Sequence, residues 1–230
     1  MTGMVRKATL LACGGILVAS AAMAAVPSPA PDSVLPCGIN LVGTTGLGGT
    51  ADAKGQFTIQ VNDLALNPIA GSSVVISFNT CTPDIRVCTT QSYPVSGIVS
   101  DCSGVVGSVS AVTDGNGEVI LRVTGGSNNI AAGTPGAGFK CAVVFADGVA
   151  LGTVNVGAYD ETGGGGVGVP DVSSFLSDSF RFQSLAIYVG RSDFNCNNTI
   201  TPTDLANLLT VSLPGTSSHS CGAALPIYCH

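Results

Sequence analysis

The chain has 230 residues, of which 45% are hydrophobic and 10% are charged, and its net charge is −6. This negative excess excludes electrostatic binding to nucleic acid, which needs a basic face. The 31 Gly and 12 Pro, set among many Val and Ile residues, predict short strands joined by tight turns rather than disorder.

An N-terminal export signal is predicted over residues 1–24. Arg6 and Lys7 precede an apolar run, and Ala22-Met23-Ala24 is a small-x-small cleavage site. The mature protein is therefore expected to be secreted, either released or at the cell surface, with no membrane span of its own. Residues 25–36 are rich in Pro and Ala and are predicted to form a flexible leader.

Eight cysteines follow the export signal, and an even number in an exported chain favours disulfide bonds. They are Cys37, Cys81, Cys88, Cys102, Cys141, Cys196, Cys221 and Cys229. Because the chain has no C-x-x-C pair, cysteine-bound metal is the weaker alternative. The sequence leaves the pairing open. One arrangement would join Cys196 to Cys221 or Cys229 and brace the segment around Cys196.

Residues 37–157 are predicted to form a β-sandwich of six or seven short strands. Apolar and polar side chains alternate along Phe57 to Val61, and Asp147-Gly148 is the best two-residue hairpin signal. The other candidate strands and turns are Val74 to Phe78, Val106 to Val112, the turn Asp114-Gly115-Asn116-Gly117, and Val119 to Val123. Three cysteines and little periodicity make residues 79–107 a predicted disulfide-pinned loop region.

Two stretches of this strand-rich part resemble bacterial Ig-like domains of the invasin type. Asp63 to Val74 is similar to their "D…N-P-(apolar)-x-G…V" stretch, and Thr113 to Val119 is similar to their "T-D-x-N-G-x-(apolar)" turn and strand. The resemblance implies an Ig-like β-sandwich that serves as a spacer or adhesion module. It implies no catalytic residues.

A candidate calcium loop spans Asp193 to Asp204. Its side-chain oxygens fall at the first, third, fifth, ninth and twelfth places, the spacing by which a 12-residue loop directs ligands at a hard cation. The seventh place would contribute a backbone carbonyl, and Ile200 at the eighth is expected to point into a core. The predicted ligands are Asp193, Asn195, Asn197, Thr199, Thr201 and Asp204.

The same loop contains the start of a helix. Thr201 suits the N-cap, Pro202 suits the first helical position, and Asp204 is placed to reach back as an acidic cap. Leucines then follow at helical spacing. The alternative to a calcium site is an Asx-rich turn with a helix cap, which needs no ion.

An internal repeat of 33 residues relates this loop to an earlier segment, Asp160 to Asp171. Val167 of the earlier segment matches Ile200, and apolar residues after each loop match in register and are expected to form a shared small core. The first loop retains fewer side-chain oxygens, and its predicted ligands are Asp160, Thr162 and Asp171. Its four consecutive glycines are also typical of a linker.

Paired 12-residue loops that end in Asp and are each followed by one short helix resemble dockerin domains, over residues 158–212. The resemblance implies a small α-helical, calcium-folded module that docks on a cohesin-like partner or a cell-surface component. It places the partner-binding positions at the tenth and eleventh places of each loop: Val169, Pro170, Pro202 and Thr203. Residues 213–230 follow as a cysteine-containing tail.

The expected protein is therefore mainly β, non-catalytic, and built as an Ig-like sandwich followed by a dockerin-like module. Its histidines, His219 and His230, lie in the tail, so a hydroxyl or thiol nucleophile would lack a well-placed base. The first alternative is a carbohydrate-binding or adhesive surface protein whose repeat is structural or a sorting signal. The second is a hydrolase with an attached dockerin, which the scarcity of candidate acids and bases disfavours.

Overall fold

The computed structural model describes residues 25–81, 83–91, 98–102, 107–127, 138–181, 190–212, 217–222 and 228–229. The predicted export signal lies outside these residues. Within them, no helix is long and apolar enough to cross a membrane.

The described residues form short strands followed by two helices, in agreement with the predicted mainly β fold. The strands are β1 (Gly38–Leu41), β2 (Phe57–Gln60), β3 (Ser73–Ser77), β4 (Ile85–Val87), β5 (Val99–Asp101), β6 (Ser108–Val112), β7 (Glu118–Leu121), β8 (Gly125–Ser127), β9 (Ala142–Ala146) and β10 (Val149–Ala158). The helices are α1 (Val169–Arg181) and α2 (Pro202–Ser212).

One six-stranded sheet has the order β1-β10-β9-β3-β6-β5, and two smaller sheets pair β2 with β7 and β4 with β8. The β1–β10 pair is parallel and the others are antiparallel. Alternating apolar side chains from the large sheet and from β2 and β7 bury into one shared core, as period-two patterning requires.

The hairpin predicted at Asp147-Gly148 is confirmed. Val149 pairs with Ala146 across the turn, and Asp147 and Gly148 have φ angles of 47° and 82°. Positive φ at both central residues is the geometry of the turn that matches the twist of a two-strand ribbon.

Residues 25–36, predicted as a flexible leader, are instead held against the sheets. The backbone N–H of Ser28 donates to the carbonyl of Asn62 at 2.8 Å, and that of Ala30 donates to Leu151 at 2.9 Å. Val34 forms a bridge with Gln60 of β2. Proline lacks the N–H donor, but Ser28 and Ala30, which lie between the prolines, keep theirs and donate to carbonyl groups of the strand-rich part.

Disulfide bonding is confirmed, and the pairing corrects one expectation. The described residues contain three bonds, Cys81–Cys141, Cys88–Cys221 and Cys102–Cys229. All three begin in the region 79–107 predicted to be disulfide-pinned, which also contains the short strands β4 and β5. Cys196 pairs with neither Cys221 nor Cys229, because the tail cysteines lie against the strand-rich part rather than against the second loop.

The two helices share a second core with the strand-rich part. Phe175 of α1 and Leu208 of α2, 33 residues apart, are both fully buried in it. Ile200 and the half-buried Val167 join the same cluster, which confirms the predicted shared core. Val42, just beyond β1, packs there too, so this core is not built by the repeat alone.

Candidate metal centre

Asp193 opens the second loop and is buried. Its Oδ1 accepts the backbone N–H of Asn197 at 3.2 Å, and its Oδ2 accepts that of Asn198 at 2.8 Å. The first-place carboxylate therefore folds the fifth and sixth places of the loop around itself.

Asp204 closes the second loop from the first turn of α2 and has no solvent-exposed surface. Its Oδ1 accepts the N–H of Asn195 at 3.1 Å. Its Oδ2 accepts both the N–H and the hydroxyl of Thr201, each at 2.9 Å. Pro202 is the first helical residue. The predicted acidic cap is thus confirmed, and the same carboxylate ties the third place to the ninth.

The first loop repeats this hydrogen-bond pattern. Asp160 accepts the N–H groups of Gly164 and Gly165 at 3.1 and 3.0 Å, again at the fifth and sixth places. Asp171 accepts the N–H of Thr162 at 2.9 Å and that of the ninth place at 2.7 Å. Each of these bonds has its counterpart 33 residues later, so the two segments are copies in backbone geometry as well as in sequence.

Backbone angles repeat as well. At the fourth place, Gly163 and Cys196 have φ of 66° and 57°, and at the sixth, Gly165 and Asn198 have φ of 98° and 62°. The first loop meets this left-handed geometry with glycine, which has no Cβ to clash. The second uses Asn at the sixth place, one of the residues that adopts this region most readily.

The donor set of the second loop fits a hard cation. Two buried carboxyl groups, Asp193 and Asp204, are held in place by backbone donors, although Asp204 Oδ2 already accepts both the N–H and the hydroxyl of Thr201. The half-buried Asn195 and the exposed Asn197 add amide oxygens, and the half-buried Thr201 adds a hydroxyl. An oxygen-only set of this kind suits Ca²⁺, which takes six to eight oxygens.

In the first loop the corresponding donors are engaged by the protein. Asp160 Oδ2 receives hydrogen bonds from the hydroxyls of Ser220 and Tyr228 in addition to Gly165. Burial raises the pKa of Asp160 to about 6, and repulsion from Asp171 adds to this shift. The hydrogen bond from Ser220 acts in the opposite direction and lowers the pKa. Thr162 directs its hydroxyl to Asp171, as Thr201 directs its hydroxyl to Asp204 in the second loop. Glycine at the fifth and ninth places supplies no side-chain ligand.

The tail seals this first loop. The N–H of Val167 donates to the carbonyl of Ser217 at 3.0 Å, and the N–H of Ser220 donates to the carbonyl of Gly165 at 2.9 Å. The structure thus brings the predicted ligands of each loop together but surrounds the two sets differently. Asn197, at the fifth place of the second loop, is exposed and carries an amide oxygen, whereas the exposed Gly164 at the fifth place of the first loop has no side chain.

Across the described part of the chain, no group of three or more His, Cys, Asp and Glu residues is arranged to hold a metal ion. The second loop does not depend on such a group, because four of its six predicted ligands are Asn or Thr. Thr199, the predicted backbone ligand, is exposed, and its hydroxyl donates to Asn197 Oδ1 at 2.6 Å. Calcium binding stays a prediction.

The four predicted partner-binding residues are all exposed. They are Val169, Pro170, Pro202 and Thr203. They occupy the first two positions of α1 and of α2. The repeat therefore presents the same short segment of each helix to solvent.

A buried ion network joins the repeat to the strands, and sequence patterning did not reveal it. Arg191, fully buried, contacts Asp178 of α1 and Asp84 beside β4, each at 2.9 Å. The Ser192 hydroxyl oxygen lies within hydrogen-bonding distance of both Asp178 Oδ2, at 2.7 Å, and Glu161 Oε1, at 2.8 Å. Burial, followed by repulsion from Asp178, raises the pKa of Glu161 well above its usual range, although Arg191 opposes the shift.

Arg191 keeps its charge despite this burial. Desolvation alone would lower its pKa, but the hydrogen bond and charge of Asp178 and the charge of Asp84 outweigh it and raise the pKa. The sequence gives only a weak signal for this network. Arg191 lies two residues before the second loop, and no hydrophobic periodicity marks it as buried.

No protein-family model, curated protein or solved structure matches this chain.

Proposed function

We propose that this is a secreted, non-catalytic protein in which an Ig-like β-sandwich acts as a spacer or adhesion domain. A calcium-dependent, dockerin-like module then docks on a cohesin-like or cell-surface partner. The observation that carries the proposal is the repeated hydrogen-bond pattern, in which Asp193 and Asp204 hold one loop as Asp160 and Asp171 hold the other.

Calcium is assigned to the second loop. There the buried carboxyl groups of Asp193 and Asp204 and the amide oxygen of the exposed Asn197 are oxygen ligands of the kind that calcium takes. With two carboxylates in the shell, modest affinity is expected, because the number of charged ligands tunes it. In the first loop, hydroxyls of Ser220 and Tyr228 already bind Asp160, so this proposal gives the second loop the ion.

The calcium proposal is tested on the full mature chain by titration calorimetry and by thermal unfolding with calcium and with a chelator. We expect one calcium ion per chain and a Tm that rises with calcium concentration, because an ion that binds only the folded state stabilises it by mass action. Magnesium serves as the control, since it demands a smaller octahedral shell. No heat of binding and no change in Tm would refute the proposal.

The docking proposal places the partner against the exposed starts of α1 and α2. Val169 and Leu64 are both 83% exposed, but Leu64 lies in a turn of the strand-rich part. Val169→Asp is expected to weaken binding to a purified cohesin domain, and Leu64→Asp to leave it unchanged. Equal effects of the two variants, or binding that persists in chelator, would contradict a calcium-dependent site on these helices.

A second candidate is a carbohydrate-binding or adhesive surface protein whose repeat is structural. The tail that seals the first loop favours it, because Ser217 and Ser220 hold that loop as a fixed part of the fold. Glycan-array binding by the full chain that is insensitive to chelator would support this candidate over the docking module.

A further inference from the structure

Cys37 and Cys196 are, among the described residues, the two cysteines outside the three disulfides. Cys37 directly precedes β1, and Cys196 occupies the fourth place of the second loop. The Cys196 sulfur lies against Gly38, the residue next to Cys37, and burial, followed by a hydrogen bond with Cys37, raises the pKa of the Cys196 thiol. Residues far apart in the chain have therefore brought two sulfur atoms together in an otherwise disulfide-bonded protein.

Packing and a hydrogen bond hold the segments around Cys37 and Cys196 close together, even without a bond between the two sulfur atoms. A Cβ at Gly38 would lie 2.6 Å from the Cys196 sulfur, so glycine there leaves the space that the thiol occupies. Asn40 of β1 donates its side-chain N–H to the carbonyl of Phe194 at 2.9 Å. The start of β1 and the second loop thus pack closely on either side of the sulfur atoms.

We propose that Cys37 and Cys196 form a fourth disulfide in the exported protein, which fastens the second loop to β1. The oxidant is a disulfide, either of an oxidoreductase or of a small thiol. Cys37, which is exposed, attacks one of its sulfurs and forms a mixed disulfide, and one thiol leaves. The Cys196 sulfur then displaces the second thiol. Two protein thiols become one disulfide, and one disulfide becomes two thiols.

The bond also bears on calcium, and this step rests on the proposed function. Cys196 lies between Asn195 and Asn197, two predicted ligands, and has a left-handed φ of 57°. A covalent link at that place limits the conformations open to the ion-free loop. Coupling between binding events is reciprocal, so calcium should make the disulfide harder to reduce by the same factor that the disulfide tightens calcium.

Mass spectrometry of the purified, unreduced full chain tests the bond directly. The protein is denatured, treated with iodoacetamide without reductant and digested. We expect no alkylated cysteine and a linked peptide that contains Cys37 and Cys196. Alkylation of both residues in protein recovered from an oxidising compartment would overturn the proposal.

Serine variants provide the controls. Cys37→Ser should leave one alkylatable thiol at Cys196, and Cys196→Ser should leave one at Cys37. The double variant should have none and should unfold at a Tm lower by roughly 4–16 °C, from the usual effect of a long-range disulfide in a chain of this size. Two alkylatable thiols in the wild type against one in each single variant would mean that the pair was never bonded.

The calcium coupling has a separate readout. The fraction of linked Cys37–Cys196 peptide is followed in glutathione buffers of increasing reducing strength, with calcium and with chelator. Calcium should shift the midpoint toward more reducing buffer, whereas the midpoint of the Cys81–Cys141 peptide, neither of whose cysteines lies in the loop, should not shift. A bond that forms but ignores calcium would overturn the coupling and count against the calcium loop while leaving the disulfide established.

Discussion

Replacing Asp204 by Asn separates the two jobs of this carboxylate, ion ligand and helix cap. In the folded chain its oxygens accept the N–H groups of Asn195 and Thr201 and the Thr201 hydroxyl, all in a site closed to solvent. An amide has a single acceptor oxygen, so its NH₂ group would face one of these N–H donors.

The cost without calcium follows from that mismatch. Leaving one buried N–H unsatisfied costs about 1–3 kcal/mol. With calcium at a hundred times its Kd, the wild type gains about 2.7 kcal/mol, or roughly 5–11 °C in Tm for a chain of this size. Asp204→Asn should lose most of that gain.

Asp171→Asn is the matched control, because Asp171 is equally buried and makes the corresponding bonds in the first loop. Both variants should unfold at similarly reduced temperatures in chelator, and only Asp204→Asn should fail to respond to calcium. Differential scanning calorimetry of the three proteins with and without calcium measures both effects. An equal loss of calcium response in both variants, or a loss confined to Asp171→Asn, would refute assignment of the ion to the second loop.

Three further predictions concern stability, each read from chemical denaturation in chelator. Arg191→Met should lower the free energy of unfolding by about 3–5 kcal/mol, because it leaves buried carboxylates without their cation. The control Lys54→Met, at an exposed position, should change it by no more than about 0.5 kcal/mol. An Arg191→Met variant as stable as the wild type would contradict the buried ion network. Phe175→Ala and Leu208→Ala should each cost about 2–5 kcal/mol, since both side chains are buried at matching positions of the repeat, and a loss below 1 kcal/mol for either would mean that its helix is not packed as described. Asp160 has a pKa of about 6 in the folded chain against 3.8 for the free group, so it binds a proton more tightly when the chain is folded. The resulting stabilisation is complete below pH 4 and is lost as the pH rises through 6. Asp160→Asn should flatten that part of the plot of stability against pH.

The loops were predictable because their geometry is local. The acids at the first and twelfth places of the second loop, Asp193 and Asp204, each accept hydrogen bonds from backbone N–H groups no more than nine residues away. The same holds for the hairpin at Asp147-Gly148, where two adjacent residues determine the turn. Features whose causes lie within one turn or one strand could be derived from spacing alone.

The buried ion network and the cysteine pairing could not be derived in this way. Arg191 meets Asp84 across 107 residues of chain, and from local spacing Asp84 is simply a turn residue. The disulfide partners are separated by 60, 133 and 127 residues. Such contacts are settled by how whole layers pack, and no local periodicity records them.

The network also bears on what calcium would do to the molecule. Arg191 lies two residues before Asp193, and it holds Asp178 of α1 and Asp84 beside β4 at the same time. An ion that orders the second loop would therefore also order the residues that fix α1 and the strand-rich part to each other. The tail adds a second connection, since Cys88–Cys221 joins the segment that seals the first loop to the end of β4. Calcium should consequently raise the stability of the whole chain in one transition rather than that of a separate helical module, and the full-length protein is the proper object for every measurement of the site.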